Sequence, residues 1–116
     1  METRTPNLAL QASPCPDGVA IAFAREIREA FPANLRTIIL FGSRARGDAR
    51  IDSDYDFLIL FDRVDPSIKD KVRDIEVSMM ETYEALVSAL VMMPEDWKRR
   101  SAFPIGLNVA REGIAV

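Results

Sequence analysis

The sequence predicts a small α+β domain, an α/β sandwich in which a mixed sheet packs on helices. Three observations predict it. Thr37–Phe41 and Phe57–Phe61 are short runs, apolar on both faces and rich in β-branched and aromatic residues, as buried strands are. A third run of that kind, Leu86–Met93, is closed by Pro94. Around these runs, two longer stretches repeat their apolar residues at helical spacing, so the elements follow in the order α, β, β, α, β, α.

The first helix is expected from Asp17, a good N-cap residue, to Phe31, where Pro32 stops it. Ala20, Phe23, Ala24, Ile27 and Phe31 share one face, with Arg25, Glu26, Arg28 and Glu29 on the other. The first strand starts at Arg36 or Thr37 and breaks at Gly42-Ser43. Arg44 to Asp48 are expected to form a short helix that Gly47 ends through a positive φ. After the loop Arg50–Ser53, the second strand runs from about Tyr55 to Phe61 and is central in the sheet. Asp65-Pro66 open the next helix, with proline in its first turn. Val72, Ile75, Val77, Met79, Met80 and Tyr83 give it a broad apolar face, with the methionines filling core. The third strand follows, then a short helix, Glu95–Arg100, and a final one from about Pro104 to Arg111, ended by Gly113. Lys98-Arg99-Arg100 reads as a solvated helix face, because Glu95 and Asp96 flank it.

Length and composition set the limits. A chain of 116 residues fits one domain and one core. Residues 1–16, rich in Thr, Ser, Pro and Ala, are expected to be a mobile leader with a short turn at Asn7–Ala12, and residues 17–116 the domain. Cys15, between two prolines, is expected to be an ordinary exposed thiol. A single cysteine excludes an internal disulfide, and the absence of histidine excludes His-based nucleophilic catalysis and His-ligated zinc. A formal charge of −3 gives no global reason to expect nucleic-acid binding. No apolar run approaches the ~20 residues that span a bilayer, and the N-terminus has no signal-peptide core, so the expected location is cytoplasmic.

The chemistry gathers in the stretch from Ile38 to Phe61. Asp54 and Asp56 open the second strand. Residues two apart on a strand share a face, with Cα atoms roughly 6.5–7 Å apart, so two carboxylates there can converge on one hard cation. Tyr55 and Phe57 then point the other way, into whatever covers the sheet. The Gly42-Ser43 turn offers backbone N–H groups and a hydroxyl to a phosphate, and Gly42 lets backbone and phosphate approach closely. Arg46 can reach a β- or γ-phosphate, and Arg44 or Arg50 can add a second charge. Ser53 is placed to orient the first carboxylate. A strand, Gly-Ser, Arg-Gly, a short loop and Ser-Asp-x-Asp, in that order, are the parts that hold a metal-bound polyphosphate.

Gly42-Ser43-Arg44-Ala45-Arg46-Gly47 followed by Ser53-Asp54-Tyr55-Asp56 resembles the signature of the minimal nucleotidyltransferases, small members of the DNA polymerase β-like superfamily. The resemblance implies that superfamily's palm fold, Asp54 and Asp56 as catalytic metal ligands, and Gly42, Ser43, Arg46, Gly47 and Ser53 at the nucleotide. It implies Mg²⁺ and a nucleoside triphosphate, ATP as donor, with pyrophosphate released. It further suggests the antitoxin of a HEPN-type ribonuclease toxin, modifying that partner by adenylyl transfer, in a homo- or hetero-oligomer.

The family's full pattern carries a third acid on the next strand. Leu86–Met93 has none: Ser88 is expected at the equivalent place, with Glu81 and Glu84 as the nearest substitutes. Two functions remain open at this level. One is a nucleotidyltransferase working with two acids. The other is a catalytically weak nucleotide-binding module that neutralises its partner stoichiometrically. Modification of a small molecule is a poorer fit, because one short domain cannot also build an acceptor pocket.

Overall fold

The computed structural model describes residues 17–116; the expected leader, its turn at Asn7–Ala12 and Cys15 lie outside the described residues. The described chain runs α1 (Gly18–Ala30), β1 (Leu35–Phe41), α2 (Ser43–Arg46), β2 (Tyr55–Phe61), α3 (Pro66–Tyr83), β3 (Val87–Met92), α4 (Pro94–Arg100), α5 (Pro104–Glu112) and β4 (Ile114–Ala115). The sheet order is β3-β2-β1-β4. β1 is antiparallel to both β2 and β4, while β2 and β3 are parallel.

β2 is interior to the sheet, as its unbroken apolar run predicts. Phe57, Leu58, Ile59 and Phe61 are all at 0 % exposure. Alternation sends Tyr55, Phe57, Ile59 and Phe61 to the face covered by α1 and α3. There Phe23 of α1 packs its ring 4.4 Å from that of Phe57, and Phe31 meets Phe61 edge-on at 4.8 Å. Truncating a fully buried Phe of this kind costs about 3–5 kcal/mol. Ile39 faces the opposite side from Ile38 and Leu40. The end of α5 comes so near it there that a Cβ on Gly113 would lie 2.8 Å from Ile39 Cγ2.

The caps are where the residues require them. Asp17 accepts the Ala20 N–H at 3.0 Å to start α1. Asp65 accepts the Ile68 N–H at 3.0 Å and the Ser67 hydroxyl at 2.7 Å to start α3. The Ser67 hydroxyl and then the Ile68 amide hold Asp65 below the usual carboxylate range.

Three details differ from expectation. The buried stripe of α3 is Ile68, Val72, Ile75 and Met79, while Val77, Met80 and Tyr83 are 42–50 % exposed. Val77 lies about 200° round the helix from Ile75, so both cannot face one sheet. α3 also covers the β3 side of the sheet, where a narrow stripe is enough. β4 was not anticipated, since a two-residue strand carries no period to read. β1 begins at Leu35, ahead of a register irregularity between Leu35 and Thr37.

β3 is an edge strand, and α3 supplies an acceptor on its outer side. Glu76 Oε2 accepts the Ala89 N–H at 3.0 Å. Burial raises the Glu76 pKa above its ordinary 4.5, with the Ala89 amide and Arg73 opposing. The native state therefore binds this proton more tightly than the unfolded chain does. Stability attributable to Glu76 falls as pH rises from 4.5 through the raised value, then stays level. In urea titrations, Glu76→Gln should flatten that dependence and be at least as stable as wild type at neutral pH. Glu76→Ala should lose about 1 kcal/mol by leaving the amide unpaired. A wild-type stability that climbs across this window, unchanged by Glu76→Gln, would contradict the assignment.

Candidate functional site

The site forms where β1 ends and β2 begins. Antiparallel pairing puts Phe41 opposite Asp56, so the first residue beyond β1, Gly42, lies beside that carboxylate. Gly42 has φ +80°, a region favouring glycine, and an added Cβ would stand 2.5 Å from Asp56 Oδ2. Close approach is the reason for glycine here, and within the chain the approaching group is the Asp56 carboxylate. α2 follows for one turn, and Gly47 ends it at φ 87°, its N–H bonded to Ser43 O at 3.0 Å. The Ser43 and Arg44 amides, at the start of that turn, have no acceptor among the described residues.

Asp54 immediately precedes β2 and Asp56 is its second residue, so the two carboxylates share a face while Tyr55 between them is 5 % exposed. Burial raises the Asp56 pKa, and the Asp54 charge raises it further; Arg46 opposes and Glu112 adds to it. Partial burial and like charge both disfavour two ionised acids, and a divalent cation would relieve both. The donors are hard oxygens, suited to Mg²⁺. Among the described residues no set of three His, Cys, Asp or Glu side chains is arranged around one ion. The parallel register pairs Asp56 with Ser88 of β3. Glu84 caps α3 at φ 54° and lines a groove shared with Asp54; Glu81 lies exposed on the last turn of α3.

The basic and hydroxyl residues divide into two sets. Arg44 is structural: its guanidinium lies 4.3 Å from the centroid of the Tyr55 ring and donates to Ser53 O and Ile51 O at 3.0 and 3.2 Å. Tyr55 donates its hydroxyl to Asp17 Oδ2 at 2.6 Å, and burial with this bond pushes the phenol up to about 12. Asp17 thereby caps α1 and holds β2 at once. The Ser53 hydroxyl accepts the Arg50 N–H at 2.8 Å, closing the loop rather than meeting Asp54. Arg46 stays at the site, half-exposed, bonded to Asp48 at 3.1 Å and to Glu112 at 3.1 Å. Glu112 also accepts the Gly42 N–H at 3.0 Å.

Of the residues expected at the site, Gly42, Ser43, Arg46, Gly47, Asp54 and Asp56 surround the β1 end, and Ser53 lies in the adjoining loop. Asp17 and Glu112 were not foreseen as parts of it. The one signal for Glu112 is an acid in the last turn of a helix, where the dipole disfavours it. Beside Asp54 the groove is walled by Ile51, Met80, Tyr83 and Leu86, all substantially exposed.

Residues 21–103 match the nucleotidyltransferase domain, and the chain belongs to that family. The palm-type α+β fold and the nucleotidyl-transfer class of the resemblance are thereby confirmed. Among its relatives, the protein adenylyltransferase MntA of Thermococcus cleftensis is 38 % identical over 102 residues, covering 86 % of this chain and 91 % of that protein. A Methanocaldococcus jannaschii protein, provisionally named a protein adenylyltransferase, is 33 % identical over 91 residues, covering 78 % and 87 %. In fold the chain is similar to the crystal structure of a toxin–antitoxin with AMP-PNP, at TM-score 0.57 and 18 % identity, covering 81 % of this chain and 69 % of that one. A structure described provisionally as a minimal nucleotidyltransferase superposes at TM-score 0.56 and 22 % identity, covering 89 % of this chain and all of its own.

The Gly42 geometry gives a direct test. Gly42→Ala should cost about 1–3 kcal/mol of folding stability through the positive φ and the contact with Asp56. Chemical denaturation checks this, and a variant as stable as wild type would show that the turn relaxes without strain.

Proposed function

We propose that this chain is an Mg²⁺-dependent protein adenylyltransferase that acts as antitoxin to a HEPN ribonuclease toxin, modifying a hydroxyl side chain of that partner. The observation that carries the reading is the position of Gly42-Ser43 against the Asp54/Asp56 pair, with Arg46 at the same edge. The names of the Thermococcus and Methanocaldococcus relatives support adenylyl transfer to protein. The toxin partner is what the resemblance to the minimal nucleotidyltransferases suggests. On this reading residues 17–116 are the working domain, in the cytoplasm.

In the reaction, the acceptor oxygen bonds to the α-phosphorus of ATP while the bond to the β-phosphate oxygen breaks. Pyrophosphate leaves with the electron pair, and the hydroxyl proton passes to solvent. The protein's work is positioning and charge. Asp54 and Asp56 would hold Mg²⁺, which when bound neutralises phosphate charge. Ser43 and its neighbouring amide, with Arg46, would orient the triphosphate tail. Gly47 and Ser53 set the ends of the loop between them.

The second reading, a nucleotide-binding module that neutralises a partner by covering it, is favoured by Ser88, since β3 brings no acid to Asp56. Incubation with ATP, Mg²⁺ and the partner, read by mass spectrometry, separates the two. Transfer predicts a nucleotidyl adduct on the partner. Asp54→Asn with Asp56→Asn should reduce it at least about a hundredfold, since losing even an outer partner of a metal ligand costs about 10–100-fold. No adduct, together with undiminished neutralisation by the folded double variant, favours the module. Titration calorimetry in which neither wild type nor a variant without the Glu112 carboxylate binds ATP, with or without Mg²⁺, refutes both.

A further inference from the structure

Arg46, which the proposed reading sets at the triphosphate, and the Gly42 amide beside it at the turn are both taken in this structure by a carboxylate of the chain itself. Glu112 Oε1 accepts from Gly42 N at 3.0 Å and from Arg46 Nη1 at 3.1 Å, and Oε2 lies 3.3 Å from the same nitrogen. The side chain is 11 % exposed, so it is seated and not merely draped over the surface. Its position is electrostatically poor apart from these partners. It is the last residue of α5, where the helix dipole repels an anion, and Asp56 is close enough to interact unfavourably with it. The backbone fixes it there. Gly113 follows with its N–H on Val109 O at 2.8 Å, and Ile114–Ala115 pair with β1 beside Gly42.

We infer that Glu112 is a built-in competitor of the nucleotide: its carboxylate holds the guanidinium and amide in the place of a phosphate and must withdraw for a triphosphate to use them. This rests on the adenylyltransferase reading for the identity of the competing anion, and extends it by assigning the chain an autoinhibitory residue. A two-oxygen carboxylate bridging an N–H and a guanidinium uses the same charge-assisted bonds that a phosphate would. Occupation by one excludes the other. The device would make affinity for polyphosphate depend on how firmly α5 and β4 sit against β1.

A residue that only positions Arg46 predicts the opposite sign, so removing the charge decides the matter. Titration calorimetry with MgATP and, separately, with inorganic tripolyphosphate should show Glu112→Gln binding both about tenfold more tightly than wild type, the scale of one charge-assisted hydrogen bond. Adenosine, which has no phosphate, should show no gain. Glu112→Asp, which keeps the charge and shortens the reach, should shift in the same direction by less. It stands in should Glu112→Gln not fold. Equal or weaker polyphosphate binding by the folded variant, with wild type binding well, overturns the competitor and leaves the proposed function intact. Binding by the variant alone supports the competitor. Failure of wild type and variant alike overturns both.

Discussion

The contact between Gly42 and the Asp56 carboxylate is the constraint from which the site follows. It exists because β1 and β2 pair with Phe41 opposite Asp56, and because the residue after Phe41 has no Cβ. That register is itself held by the apolar faces of β2: a slip of one residue would carry Phe57 and Phe61 to the other side of the sheet and Asp56 into the α1–α3 core. Packing thus decides where the acid points. The glycine then decides how near the turn may come to it.

Around that contact the polar residues are ordered by a few shared groups. Asp17 caps α1, receives the Tyr55 hydroxyl and lies 3.9 Å from Arg44 Nη1. Arg44 in turn covers the Tyr55 ring and gathers the carbonyls of Ile51 and Ser53. The loop between α2 and β2 is therefore tied to the first helix as well as to the sheet. Asp54, at its end, is presented from a secured support though it is itself exposed. The interior beneath is almost wholly apolar, so this polar network lies at its rim, where solvent can complete what the protein leaves unpaired.

Much of this was legible in the sequence, for identifiable reasons. The strands could be read because both faces of β2 are buried, which leaves an unbroken apolar run. The helices α1 and α3 could be read from their caps, Asp17 and Asp65, and from prolines that set their ends. That Gly42, Asp54 and Asp56 meet at one edge could be read because the chain breaks at Gly42 and strand alternation puts the two acids on one face. What could not be read depended on contacts distant along the chain. Glu112 is 70 residues from Gly42, and nothing in its neighbourhood announces the pairing. Arg44 and Arg46 look alike in sequence; only the Tyr55 ring beneath one and the Glu112 carboxylate beside the other distinguish them. The α3 stripe is narrower than its apolar residues suggest, because helical periodicity does not say how much of a helix the sheet will cover.

The seating of Arg44 over Tyr55 bears on how charge is shared at the β1 end. A guanidinium committed to carbonyls and an aromatic face is withdrawn from ligand recognition. On the proposed reading, a fully ionised triphosphate meets Arg46, itself shared with Asp48 and Glu112, as the guanidinium at that edge, and its remaining negative charge falls to the divalent ion. Nucleotide recognition in so small a domain would then be chiefly recognition of a metal chelate, with selectivity between donors arising from the shape of that chelate and not from a dense basic patch.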